Sequence, residues 1–200
     1  MGTHTDFYGA IRIRPQIGQP LADRLSAWLA SAHIRRDVGA LRKLYPTDEE
    51  LRAHTLFGDG DLGDEGEFYL PDRTNRLDFI FVRGADPCPL PEGLTDELYQ
   101  RPPRNCPDLE SDLELVHRED GTCSYIGWNG GEYSYCIPDW LHLIAGYLVP
   151  RGFRLDGTMF AVEEFGSEYY YINVKDRRVD VEPWWPETTY ADDFRGLYLY

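Results

Sequence analysis

Residues 113–182 read LELVHREDGTCSYIGWNGGEYSYCIPDWLHLIAGYLVPRGFRLDGTMFAVEEFGSEYYYINVKDRRVDVE, and this stretch decides the fold. Leu113–His117 and Thr122–Trp128 flank Glu119-Asp120-Gly121, where Gly121 can supply the positive φ of a bulged hairpin turn. Pro138–Val149 predicts a helix. Trp140, Ile144, Tyr147 and Leu148 fall on one of its faces, with Leu141 and Leu143 beside them, and Pro150 and Gly152 stop it. Thr158–Phe165, Glu168–Val174 and Arg178–Glu182 predict three strands, the first two joined by a two-residue turn at Gly166-Ser167. Alternation along the second strand puts Tyr170, Ile172 and Val174 on one face, leaving Tyr169 and Tyr171 on the other.

Working outward, Phe7–Arg14 alternates an apolar face (Phe7, Ile11, Ile13) with one that ends basic (Arg12, Arg14), as a half-buried strand does. Pro20 suits the first turn of a helix over 20–33, where Leu21, Leu25, Trp28 and Ala32 recur at helical spacing with Leu29 beside them. Arg35, Arg36, Arg42 and Lys43 form a basic flank, read either as a favourable helix end or as a small anion site. Thr47-Asp48-Glu49-Glu50 is a capping box that starts a short helix running to about His54. Leu77–Arg83 reads as a strand, and six prolines between 84 and 112 exclude ordinary helix or sheet there.

The expected fold is therefore α+β. About five to seven antiparallel strands carry two main helices, 20–33 and 138–149, on one face. Residues 1–183 form a single domain in this reading, interrupted over 37–112 by a long, irregular, acidic, Pro- and Gly-rich insertion with one strand. An aromatic tail over 184–200 follows, with Trp184, Trp185, Tyr190, Phe194, Tyr198 and Tyr200.

The net charge of −15 is unevenly spread. Residues 1–45 carry seven basic and three acidic side chains, 46–120 seven and twenty, and 121–200 six and twelve. A chain so acidic repels nucleic-acid phosphate, which argues against direct DNA or RNA binding and for either solubility or a basic partner. No apolar run reaches membrane-span length, and the N-terminus lacks the basic and apolar regions of a signal peptide, so a cytoplasmic protein is expected. Cys88, Cys106, Cys123 and Cys136 contain no C-x-x-C pair and read as free thiols.

The most acidic segment is Gly58-Asp59-Gly60-Asp61-Leu62-Gly63-Asp64-Glu65-Gly66-Glu67. It fails the EF-hand pattern: counted from Asp59, the sixth position is Asp64 rather than Gly and the twelfth is Leu70 rather than Glu. No resident metal or cofactor is expected. The five histidines show no zinc spacing, and there is no nucleophile elbow, Walker lysine or dinucleotide fingerprint. Glu132, Cys136 and His142 are the only candidates for an unfamiliar catalytic site, so no catalytic residue is assigned.

Aromatic surface stands out instead. Ten of the fourteen tyrosines and four of the five tryptophans follow residue 121, more than one sheet face can bury. Tyr169, Tyr171, Trp184 and Trp185 are candidates to stack on a nucleobase or sugar, with Arg177 and Arg178 near by for a phosphate.

Trp128-Asn129-Gly130-Gly131-Glu132, then Trp140-Leu141-His142-Leu143-Ile144, Leu155-Asp156-Gly157 and Val174-Lys175-Asp176 form a pattern. It resembles small α+β proteins of actinobacteria and their phages, over residues 7–33 and 122–182. Asn129 stands where that group has Asp, and 37–112 is much longer here. The resemblance implies the fold and a phage or mobile-element setting, and carries no activity with it.

The expected function is that of a non-catalytic acidic binding protein. Asp59, Asp61, Asp64, Glu65 and Glu67 would engage a host or partner protein, as an inhibitor or protective factor in phage–host conflict. The alternative is a nucleotide-like small-molecule binder using Tyr169, Tyr171, Arg177, Arg178, Trp184 and Trp185. An enzyme with an unrecognised site comes third.

Overall fold

The computed structural model describes residues 4–71, 102–117, 123–131, 136–164 and 168–185. The chain divides into two compact units, Met1–Ile17 with Asp112–Tyr200, and Gly18–Ser111. The fold is α+β.

The first unit is a six-stranded antiparallel sheet in the order β2-β3-β1-β4-β5-β6. β1 spans Thr5–Arg14, β2 Leu113–His117, β3 Ser124–Trp128, β4 Arg154–Glu163, β5 Tyr169–Lys175 and β6 Arg178–Pro183. The first strand of the chain is thus central, between the β2–β3 hairpin and the β4–β5–β6 meander. It pairs with β4 over all ten residues, from Thr5 opposite Glu163 to Arg14 opposite Arg154. One face is apolar and buried: Phe7, Ile11 and Ile13 from β1, Ile126 from β3, Leu155, Met159 and Ala161 from β4, Ile172 and Val174 from β5.

The helix expected over 138–149 spans Ile137–Leu148 and is followed by a 3₁₀ turn, Val149–Arg151, that ends at Gly152 with φ 90°. It packs beside β6 and buries Ile137, Trp140, Leu141, Ile144, Ala145 and Leu148. Truncating a ring as buried as Trp140 costs about 3–5 kcal/mol by the usual core arithmetic.

β4 begins four residues before the expected Thr158. Arg154-Leu155-Asp156-Gly157 looks like turn sequence, but the β1 ladder extends it. Gly157 is required there: its φ is 154°, and a Cβ would come within 2.6 Å of the Ala10 carbonyl oxygen. Local turn preference yields to the ladder hydrogen bonds.

The second unit opens with α1, Gln19–Leu29, which ends short of the expected residue 33. Trp28 is buried and its indole N–H donates to the Glu67 carbonyl at 2.7 Å. α2, Val38–Leu44, is capped by Asp37, whose side chain accepts from Ala40 N. α3, Asp48–Ala53, carries the complete Thr47/Glu50 capping box expected from the sequence. Leu41, Tyr45, Leu51, Leu62 and Tyr69 form a core of their own.

Part of the stretch 37–71 thus packs on a core of its own within the unit Gly18–Ser111. Short helices and leucines spaced among glycines leave no long periodic signal, so the core was invisible as a pattern. The expected strand Leu77–Arg83 and the turns at Glu119–Gly121 and Gly166-Ser167 lie outside the described residues.

His33 sits edge-on to the Trp28 ring, with centroids 4.5 Å apart. Burial, aided by the charge of Arg36, pushes its pKa from 6.5 down to about 3. The neutral imidazole is thus the native form. Its stabilising contribution is complete above the unfolded value near 6.5 and is lost as pH falls toward 3. Urea unfolding followed by tryptophan fluorescence should lose about 2–3 kcal/mol between pH 6.5 and 4.5, above the ordinary carboxylate range. His33→Leu should flatten that slope.

Candidate functional site

The face of the sheet opposite the apolar one carries the even-numbered residues of β1, β4 and β6 and the odd-numbered ones of β5, as the ladder registers fix. Its two ends differ in chemistry.

One end is aromatic. Phe160 of β4 stands opposite Tyr171 of β5, and their rings are 4.9 Å apart. Trp184, whose backbone N–H donates to the Tyr169 carbonyl, presents its edge to Phe160 at 5.5 Å and to Tyr169 at 5.6 Å. Phe160 is only 3% exposed although it lies away from the apolar face, because these rings enclose it. Tyr169, Tyr171 and Trp184 remain half-buried, and Trp185 is 72% exposed. Edge-to-face packing holds such rings rigidly while leaving area for a ligand.

The other end is basic. Arg14 lies directly across from Arg154, and Lys175 directly across from Arg178, all four exposed. Arg177 occupies the β5–β6 turn beside Asp176, whose φ is 52°. Asp156 is enclosed by cations: Arg12 donates to one of its oxygens and Arg14 to the other, the latter at 3.0 Å. Arg154 faces Asp176 at 3.6 Å and Arg178 faces Asp180 at 2.6 Å. Lys175 and Arg177 make no ion pair among the described residues. Arg14, Arg154, Asp156, Lys175 and Asp176 line a depression of about 340 Å³, at the small end of the usual ligand-site range.

Between the two ends lies a polar strip. Thr158 donates its hydroxyl to Asn173 Oδ1 at 2.7 Å, so the Asn173 amide remains a donor. Asp180 and Glu182 stand across from Asn173 and Tyr171 on β6.

Of the residues singled out in the sequence as a ligand surface, Tyr169 and Tyr171, with Trp184 packed on them, gather at one end of this face and Arg178 stands at the other. Arg177 lies in the β5–β6 turn and the exposed Trp185 follows β6. Phe160, Arg14, Arg154 and Lys175 complete the groups and were missed. Alternation along β1 put Arg12 and Arg14 on one face, but only the ladder reveals what each stands opposite.

The acidic candidates also separate. Asp59, Asp61 and Asp64 are exposed. The Asp59 carboxylate accepts from Asp61 N and that of Asp61 from Gly63 N, which shapes the loop. Glu65 accepts from Arg35 at 2.6 Å and from Arg104 N at 2.7 Å. Burial raises its pKa, but the Arg104 and Arg35 hydrogen bonds and both guanidinium charges outweigh that and hold the carboxyl below its ordinary value. Glu67 is buried and accepts from Glu65 N and the Asn105 amide. Both glutamates bond within their own unit, Glu67 buried and Glu65 half-buried. Of the basic flank, Arg35 is committed to Glu65 and Arg36 lies over the Tyr69 ring at 4.8 Å, while Arg42 and Lys43 are exposed.

No group of three metal-ligating side chains occurs among the described residues. Cys106 is buried, and burial followed by the charges of Glu67 and Glu65 pushes its pKa up to about 12, an inert thiol. Cys123 is buried and Cys136 half-buried, and His142 is exposed on its helix. Glu132 and Cys88 lie outside the described residues. No helix among the described residues is long and apolar enough to cross a membrane. Comparison of the chain with protein-family models, curated proteins and solved structures returns no match.

Asp156 organises the basic end, and its pKa is lowered, first by the Arg12 hydrogen bond and then by that from Arg14 against the cost of burial. A carbon-13 NMR titration should find this carboxyl below the ordinary aspartate value near 3.9. Arg12→Ala should raise it further than Arg14→Ala does.

Proposed function

We propose that this protein is a non-catalytic binding protein that takes a small nucleotide-like ligand on the aromatic and basic face of its sheet. The observation that carries this reading is the coexistence, on one continuous face, of a packed ring cluster and a cationic end. A planar base stacks against Tyr169, Tyr171, Trp184 and the exposed Trp185. A negatively charged group reaches the arginines and Lys175. The strip of Thr158 and Asn173 offers hydrogen bonds to a sugar between them.

The overall charge of −15 works against a long nucleic acid, whose many phosphates would meet the acidic remainder of the surface. A short ligand meets only the local field. Base–aromatic stacking is worth about 1–3 kcal/mol per base, so the rings alone give weak binding that a second contact must reinforce.

A thermal-shift panel of purine and pyrimidine nucleosides and nucleotides should raise the melting temperature, by an amount that grows with the logarithm of affinity at a fixed ligand concentration. Tryptophan fluorescence should be quenched on binding, and Trp184→Ala should weaken it by roughly tenfold, the loss of one stacking contact. Failure of every nucleoside and nucleotide to stabilise the protein at millimolar concentration would overturn the reading.

A second reading rests on Asp59, Asp61 and Asp64, which are exposed on a loop fixed by its own side-chain hydrogen bonds. Fixed carboxylates suit a basic partner protein, and an inhibitory role in phage–host conflict is the form that the sequence resemblance suggests. Charge steering predicts that neutralising all three to Asn slows association and removes its salt dependence. A partner that binds the triple variant at an unchanged rate eliminates this surface.

A further inference from the structure

The basic end of the sheet contains a conflict that folding does not require. Like charges placed directly opposite each other across antiparallel strands are destabilising, and this corner has two such pairs, Arg14 with Arg154 and Lys175 with Arg178. They occur in a chain whose net charge is −15. Carboxylates answer three of the four: Arg14 shares Asp156 with Arg12, Arg154 faces Asp176, and Arg178 faces Asp180. Lys175 stands opposite Asp156 in the β4–β5 ladder, where that carboxylate is already held by two arginines, and makes no ion pair of its own among the described residues. Cations thus outnumber carboxylates at this corner, and Arg14, Arg154 and Lys175 line the depression of about 340 Å³ together with Asp156 and Asp176.

Resting on the nucleotide reading, we propose that this depression is a polyphosphate site, and that the protein selects nucleoside 5′-triphosphates over monophosphates. The geometry sets the length of the ligand. Tyr171 and Lys175 are four residues apart along β5, about 13 Å at the rise of an extended strand. A ring stacked on Tyr171 and Trp184 leaves its α-phosphate over the Thr158–Asn173 strip, joined to the base through the ribose alone. Each further phosphate carries charge toward Lys175, Arg154 and Arg14. Glu182, exposed opposite Tyr171, fixes the polarity: its carboxylate repels phosphate from the aromatic end and accepts from ribose hydroxyls. A triphosphate offers several oxygens to guanidinium forks that match them in pairs, whereas a single phosphate cannot bridge both cation pairs.

The test is a calorimetric series in metal-free buffer at constant ionic strength with adenosine, AMP, ADP, ATP and inorganic triphosphate. Affinity should rise along the series by at least tenfold from AMP to ATP, and inorganic triphosphate should bind on its own. Lys175→Gln and Arg154→Gln, both exposed and neither expected to lower the melting temperature, should bring ATP down to the affinity of AMP while leaving adenosine unaffected. Equal affinity for AMP and ATP with adenosine still bound would overturn the polyphosphate site but not the nucleotide reading. Binding of inorganic triphosphate with no gain from the adenosine moiety would overturn the nucleotide reading and leave the anion site standing. Absence of binding by all five would overturn both.

Discussion

The ten-residue ladder between β1 and β4 is the constraint on which the sheet unit depends. It joins the first strand of the chain to one about 150 residues later, and without it the β2–β3 hairpin and the β4–β5–β6 meander would each present an open edge. Loop closure of that length is entropically costly, though the cost grows only logarithmically with length, so a large intervening unit adds little to it. Gly157 shows how tightly the pairing is drawn, since a Cβ there would strike the Ala10 carbonyl. The same ladder sets the register that brings Arg12 and Arg14 to Asp156, and so builds the basic end as a by-product of forming the core.

What could be read from the sequence was whatever local chemistry specifies by itself. The Thr47 capping box, the helix from residue 137, the β5–β6 hairpin and the division of Tyr169 and Tyr171 from Ile172 and Val174 all follow from spacing and turn residues, and the structure has each of them. What could not be read was set by partners distant in the chain. The start of β4 at Arg154 is decided by β1, not by the Leu-Asp-Gly sequence. The burial of Glu67 is decided by Asn105 and by the Trp28 indole that bonds its carbonyl, and sequence alone makes it one more acid in an acidic run.

Charge in this protein is better understood by position than by sum. Glu65 and Glu67 stabilise their own unit, so their contribution to the net charge says nothing about a partner. The basic corner is the opposite case. Its arginines and lysine are too few to alter the net charge, yet they are concentrated where two hairpin ends meet. Exposed pairs such as Arg178 with Asp180 are worth little in stability, because water and salt screen them. The same exposure makes them cheap to exchange for a ligand anion.

That exchange is the reason the two ends of the face are read together. The rings around Phe160 are packed against one another and undergo no rearrangement when a planar group is laid on them, so stacking carries little ordering cost. The backbones that carry the cations are held in register by the ladder. Arg12 and Arg14 are in turn fixed by Asp156, which orients the guanidinium groups. Under the proposed reading, a ligand that supplies negative charge at this corner gains from the local excess of cations, and a neutral ligand does not. Selectivity for charge over ring identity would follow: the aromatic end would accept any π-face, and the basic end would decide which of the molecules that stack there remain bound.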